Sequence, residues 1–136
     1  MQTEPRLVNV LALAFLGDAL YEVYVREHIL DSDAAGRADL LHKKAVKYVC
    51  AAGQANALKA MMESGYLDEE ENAFARRAHN HKTATKPKNA DPLTYKWATA
   101  FEALLGYHRS AGREERLQEI MKEAVRITEE RRGQDA

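Results

Sequence analysis

An all-α domain is the fold class that this sequence predicts, and three observations point to it. Only three prolines and seven glycines interrupt 136 residues. Ala, Leu, Glu, Lys and Arg dominate, and these are strong helix formers. Apolar residues recur at three- and four-residue spacing, without the alternation that marks strands. The length suits one domain, residues 1–136, with about 1–4 and 133–136 expected to fray.

The elements follow in order. A first helix is expected from about Pro5 to Ile29, with Pro5 at an early position where its missing N–H costs little. Asp31 to Gly36 reads as a loop. A second helix spans about Arg37 to Cys50. Gly53 marks a break before a third helix carrying Leu58, Met61 and Met62, which Gly65 ends. Asp68 is a good N-cap for a fourth helix, and Glu71 completes a capping-box pattern. Asn80 to Ala90 lacks apolar periodicity and holds Pro87, so it reads as an exposed loop. Asp91-Pro92 opens a fifth helix that ends near Ser110. Gly112 separates a last helix, about Arg113 to Arg132, whose stripe is Leu117, Ile120, Ala124 and Ile127.

Charge and cysteine content exclude several function classes. The formal net charge is −1, which argues against a generally basic polyelectrolyte binder but allows a locally basic one. A single cysteine, Cys50, excludes an intramolecular disulfide framework and a cysteine-based zinc site. In AVKYVCAA it reads as a small buried residue rather than a nucleophile. His79 and His81 are two apart, wrong for one helical face, so zinc is poorly supported there. GxxxxGK[ST] and GxGxxG are both absent. No leader pattern or apolar run of membrane-spanning length is seen, so a cytoplasmic protein without a membrane partner is expected.

Two carboxylates sit where apolar residues belong. Asp18 falls in the middle of the stripe Leu7, Leu11, Ala14, Tyr21 and Val25, where burial would be costly without compensation. It meets an Arg or caps a helix, or else it is a metal ligand or general base. Gly17 beside it costs roughly 1 kcal/mol against Ala in a helix, which the close approach of another backbone would justify. The fifth helix is apolar nearly all round, so it reads as a buried central helix, and Glu102 is its one acid after Asp91. Here too an ion pair is the competing reading. Two such carboxylates on the two most apolar helices favour a shared site, and paired carboxylates suit Mg²⁺.

A basic segment adds a partner class. RRAHNHKTATKPK, from Arg76 to Lys88, holds five Lys/Arg, two His and no acid, directly after the acidic stretch Glu63 to Glu71. A charge run is commonly just a solvated face. Here Arg76, Arg77, Asn80, Lys82, Lys86 and Lys88 lead into the helix that carries Glu102, and such residues suit phosphate oxygens. A polyanion delivered beside two carboxylates suggests phosphodiester cleavage. Lys43 and Lys44, beside His42, could supply a further contact.

The residues Ala14-Phe15-Leu16-Gly17-Asp18-Ala19-Leu20 resemble the signature of ribonuclease III catalytic domains, and Phe101-Glu102-Ala103-Leu104-Leu105-Gly106 resembles that family's second acidic segment. LALAFLGDALYEVYVREHIL, DLLHKKAVKYV and KPKNADPLTYKWATAFEALLGY are closer still to Mini-ribonuclease III, the short branch without a double-stranded-RNA-binding domain. The resemblance implies the all-helical ribonuclease III endonuclease fold and a homodimer that cuts opposite strands of double-stranded RNA. It implies Mg²⁺-dependent hydrolysis, with Mn²⁺ as a possible substitute, leaving 5′-phosphate and 3′-hydroxyl ends. Asp18 and Glu102 match the family's metal-binding acids. The implied substrate is precursor 23S ribosomal RNA at its paired ends, and a large-subunit ribosomal protein is a candidate helper. The signature helix implies an interface at Leu11, Phe15 and Ala19. The longer enzymes carry a Glu where this chain has Ala14 and an Asp where it has Thr99, a reduction the short branch shares. A non-catalytic RNA-binding dimer with a reduced metal site, or a scaffold whose acids are ion-paired, are the alternatives.

Overall fold

The computed structural model describes residues 8–33, 36–81 and 91–135. They form six helices: α1 (Val10–Ser32), α2 (Ala38–Val49), α3 (Ala51–Glu63), α4 (Glu69–Asn80), α5 (Pro92–Ser110) and α6 (Glu114–Asp135). No strand occurs among the described residues. All six contribute to one apolar cluster. α5 sits at its centre and packs against α1, α3, α4 and α6. Its buried residues, from Ala98 through His108, lie on nearly every side of the helix, as its all-round apolar sequence requires.

Local signals place most ends. The Asp68 side chain accepts from Glu71 N at 2.8 Å and Asp68 N donates to Glu71 Oε1 at 2.9 Å, completing the capping box that opens α4. Asp91 caps α5 through Thr94 N at 2.9 Å, with Pro92 in the first turn. Gly65 and Gly112 follow α3 and α5 with φ of 79° and 76°, the left-handed conformation that glycine adopts without a Cβ penalty.

Four ends differ from expectation. α1 starts at Val10, where Asn9 Oδ1 accepts from Leu11 N at 2.7 Å; Pro5 lies outside the described residues. It also runs on to Ser32, into the stretch read as a loop. The break between α2 and α3 falls at Cys50, not Gly53. Gly53 is inside α3, where a Cβ would come within 2.8 Å of the Lys47 and Tyr48 carbonyl oxygens. The glycine therefore permits a tight corner rather than ending a helix. Cys50 itself is only half-buried, and its Sγ accepts from Gly53 N at 3.4 Å as the cap of α3. α6 continues to Asp135, past Gly133.

The closest approach in the fold is between α1 and α5. A Cβ on Gly17 would overlap the Glu102 carbonyl, and one on Gly106 would overlap the Leu13 carbonyl. The two glycines are reciprocal: residues 17 and 13 of α1 meet 102 and 106 of α5, so the helices cross antiparallel at backbone contact. The helical cost of Gly17 is offset by that approach. α2 is more peripheral, with only Ala45 fully buried, and is tied in by Glu129, which accepts from His28 Nε2 and Tyr48 Oη, both at 2.8 Å.

Candidate active site at the α1–α5 crossing

Because the helix backbones touch beside Gly17, the next residue on α1 and the side chain of Glu102 on α5 are forced together. Asp18 and Glu102 lie within hydrogen-bonding reach of each other. The sequence expectation of a buried Asp18 is corrected: Asp18 is exposed, and Glu102 is the half-buried member. A helical wheel gives the direction of a side chain but not where the neighbouring helix ends. Asp18 projects from the rim of the α1 core face, made by Val10, Leu13, Ala14, Gly17, Tyr21, Val25 and Ile29, and Leu11 lies outside that face.

Burial pushes the Glu102 carboxyl up to about 8, with Asp18 adding to the rise through a hydrogen bond and like charge, and Glu22 contributing further repulsion. Gln54, whose Nε2 donates to Val49 O at 3.2 Å, opposes the shift. Among the described residues neither Asp18 nor Glu102 forms a salt bridge. Glu22 and Gln54 are the neighbours that sequence reasoning missed. Glu22 could have been found, since it lies one helical turn after Asp18 on the same face; it pairs with Arg26 at 3.1 Å. Gln54 gave only the weak signal of an amide within an apolar helix.

The donor set fits a hard divalent cation. Its groups are carboxylate oxygens, and burial with the neighbouring Asp18 pushes one of them up to about 8. Ala14 and Thr99 do not extend the set: Ala14 is buried, and the Thr99 hydroxyl donates to Tyr95 O at 3.0 Å. No group of three or more His, Cys, Asp or Glu among the described residues is placed to hold a metal, so the candidate donor set there is the two carboxylates.

The other expected residues are dispersed. Arg76, Arg77 and Asn80 are exposed on the last turns of α4, with Arg77 over the Phe74 ring at 5.2 Å. Lys82, Lys86 and Lys88 lie outside the described residues. Lys43 and Lys44 are exposed on α2, and Lys44 pairs with Asp33 at 2.6 Å. Leu11, Phe15 and Ala19 are all exposed on α1, Phe15 at 83%. No helix among the described residues is long and apolar enough to cross a membrane.

Comparison with known proteins gives a consistent picture. The ribonuclease III domain family matches residues 11–110. A Mini-ribonuclease 3 of Brevibacillus brevis is 45% identical over 93% of this chain and 92% of its own length. A Mini-ribonuclease 3 of Symbiobacterium thermophilum is 44% identical over 96% of both chains. The crystal structure of protein FN1578 from Fusobacterium nucleatum superposes with a TM-score of 0.77 at 31% identity, covering 92% of this chain and 98% of that one.

Proposed function

This chain belongs to the ribonuclease III family, in its Mini-ribonuclease 3 branch, and from that premise we propose a Mg²⁺-dependent homodimeric endoribonuclease that trims the paired ends of precursor 23S ribosomal RNA. The endoribonuclease activity follows from the family; the cation, the dimer and the RNA are the further reading. The observation that carries it is the meeting of Asp18 and Glu102, neither of which forms a salt bridge among the described residues.

Asp18 and Glu102 hold the cation in this reading. When bound, such an ion supplies Lewis-acid polarisation of a phosphodiester and makes water a better nucleophile at neutral pH. Asp18, open to solvent, faces the incoming phosphate, while Glu102 is anchored on the most buried helix. Mn²⁺ fits the same oxygen donors.

Arg76, Arg77, Asn80, Lys82, Lys86 and Lys88, with Lys43 and Lys44, supply the phosphate contacts. A-form RNA hides its base edges in a deep narrow groove, so these contacts read backbone and 2′-hydroxyls. The exposed row Leu11, Phe15, Ala19 and Val23 recurs every fourth residue on α1 and supports a two-fold interface, which would present the basic segment twice. Light scattering at micromolar concentration should give a dimer, and Phe15→Asp should give a monomer.

Cleavage of a long RNA duplex with and without Mg²⁺ tests the catalytic reading, and equal products in both conditions would overturn it. Salt titration of duplex binding in Ca²⁺ tests the RNA contacts. Changing Arg76, Arg77, Lys82, Lys86 and Lys88 to Ala should flatten the log–log slope by roughly one unit per lost phosphate contact.

A further inference from the structure

Two stacked rings join the last turn of α4 to the start of α5. His79 lies on Trp97 with ring centroids 3.9 Å apart and planes 29° from parallel. Both residues are half-buried, and Trp97 stands on the helix that carries Glu102. The His79 ring makes one hydrogen bond, with Nδ1 at 3.1 Å from Asn80 Oδ1. A carbonyl oxygen only accepts, so Nδ1 carries the proton and donates. The other ring nitrogen agrees: Nε2 is buried without a partner, and a proton there would be a buried donor left unpaired. Asn80 is exposed and is the last residue of α4. With Oδ1 taken up by His79, the donors left to its amide are the two Nδ2 hydrogens. Among the described residues nothing accepts from them.

We infer that Trp97 and His79 are positioning residues for the RNA: the ring stacked on Trp97 holds the Asn80 amide by its Oδ1, with the Nδ2 hydrogens left to donate to backbone oxygens of the duplex. The inference rests on the reading of this end of α4 as an RNA contact. The choice of a histidine has a chemical reason. An apolar side chain at 79 would cover Trp97 as well, but it would leave the amide to rotate. A surface amide that is ordered only on binding gives up rotamer freedom at that moment, which weakens the contact. The stack fixes the imidazole and the imidazole fixes the amide, so the donor is set before the RNA arrives. Its role differs from that of the exposed Arg76 and Arg77 on the same turns. A guanidinium attracts a polyanion from any direction. An amide held at one angle takes only an oxygen lying along its N–H bonds, so it sets the register of the strand on the protein.

His79→Phe keeps a ring on Trp97 and removes the donor, while Asn80→Ala removes the amide. Duplex RNA titrated into the full chain in Ca²⁺ should bind each variant roughly 3–10-fold more weakly, the worth of one neutral hydrogen bond. The log–log salt slope should keep its wild-type value, because no charge is lost. In Mg²⁺, KM should rise by the same factor, with kcat falling less. The double variant should bind no worse than Asn80→Ala alone, since His79 acts through Asn80. Trp97→Leu should show the same loss, and Trp97→Phe should restore binding. His79→Leu supplies the same readouts if the Phe variant fails to fold. The Asn80→Ala titration repeated on a 2′-deoxy duplex assigns the acceptor: a loss that persists points to phosphate, a loss that disappears points to a 2′-hydroxyl, and both support the inference. Wild-type binding by folded His79→Phe, or additive losses in the double variant, would overturn it. So would a lower melting temperature with binding unchanged, because that result assigns the stack to the fold alone. Arg76→Ala run in parallel separates the two readings. If the wild type does not bind duplex RNA, the RNA reading fails and takes this inference with it; if Arg76→Ala flattens the salt slope while the His79 and Asn80 variants bind like the wild type, only the inference about His79 and Trp97 fails.

Discussion

Near the C-terminal end of α5, Glu71 of α4 meets His108 and Arg116; near the middle of the same helix, Glu102 meets Asp18. Glu71 is 1% exposed, and every direction around it supplies a donor. Asp68 N donates at 2.9 Å, His108 Nε2 at 2.7 Å, and Arg116 Nε and Nη2 both at 2.8 Å in a bidentate pair. Arg116 also donates to Tyr66 O at 2.8 Å. These donors hold the Glu71 carboxyl down at about 2, against the opposing effect of burial. Burial lowers His108, and its buried Nδ1 has no partner, so the neutral ring with its proton on Nε2 fits the site. Glu102 has burial and repulsion with only a partial offset from Gln54, and is pushed up to about 8. One carboxylate is finished by the fold; the other is left needing positive charge. Burial is common to both, so it is the neighbouring donors that separate a compensated acid from an uncompensated one.

The contrast can be broken most forcefully at Asp18 or Glu102. Asp18→Asn and Glu102→Gln should each lower duplex-RNA cleavage by roughly 10³-fold, the scale of losing a dominant electrostatic contact to a transition state. Circular dichroism should stay unchanged. Cleavage near the wild-type rate would assign the chemistry elsewhere.

Glu71→Gln should do the reverse. It removes the buried carboxylate of the pair and leaves Arg116 with Glu119 at 3.2 Å and the Tyr66 carbonyl, so the loss should fall below the about 3–5 kcal/mol of a fully buried pair broken on one side. Urea unfolding should show the lower midpoint, while the folded fraction cleaves normally. A fall in activity beyond the unfolded fraction would tie Glu71 to the reaction.

A smaller effect is expected at the helix crossing. Gly17→Ala and Gly106→Ala each force α1 and α5 apart, at about 1–3 kcal/mol for overpacking. Gly17 adjoins Asp18 and contacts the Glu102 backbone, so its variant should also lose cleavage. Gly106→Ala should lose stability with less effect on rate. Equal activity losses would show that the spacing of the whole crossing, not the local one, sets the site.

The smallest effect is in the pH profile of stability, where the two acids act with opposite sign. Glu102 is raised from 4.5 to about 8, so the folded state holds a proton that the unfolded state has released between those values. Its contribution is present below pH 4.5 and is lost as pH rises through 8, by roughly 1–2 kcal/mol in a half-buried site. Glu102→Gln should flatten that limb, and Mg²⁺ should offset it. Glu71 is lowered, so its contribution is present above pH 4.5 and is lost as pH falls towards 2. The lowered His108 adds to the acid loss below its ordinary value of 6.5. Thermal midpoints from pH 4 to 9 in the two Gln variants would separate the limbs.

The sequence by itself determined the helical class, the capping box at Asp68, the Asp91-Pro92 start, the glycine ends at Gly65 and Gly112 and the stripe of α6, because these depend on residues within one or two turns of each other. It also picked out Asp18, Gly17 and Glu102 as anomalies. Only the tertiary structure decided what the anomalies meet. The wheel that placed Asp18 inside an apolar stripe carried no information about where α5 ends, so its exposure was not legible. The capping box identified Glu71 as a cap, yet the donors that make it structural come from His108 and Arg116, 37 and 45 residues away. Gly53 was legible as a special position but not as a close approach, since the carbonyls it meets become neighbours only when the chain turns at Cys50. Gln54 could not be assigned from one helix, because the carbonyl to which it donates lies at the end of α2. Local chemistry is written in short-range spacing, whereas compensation of a buried charge is decided by whichever helices arrive beside it.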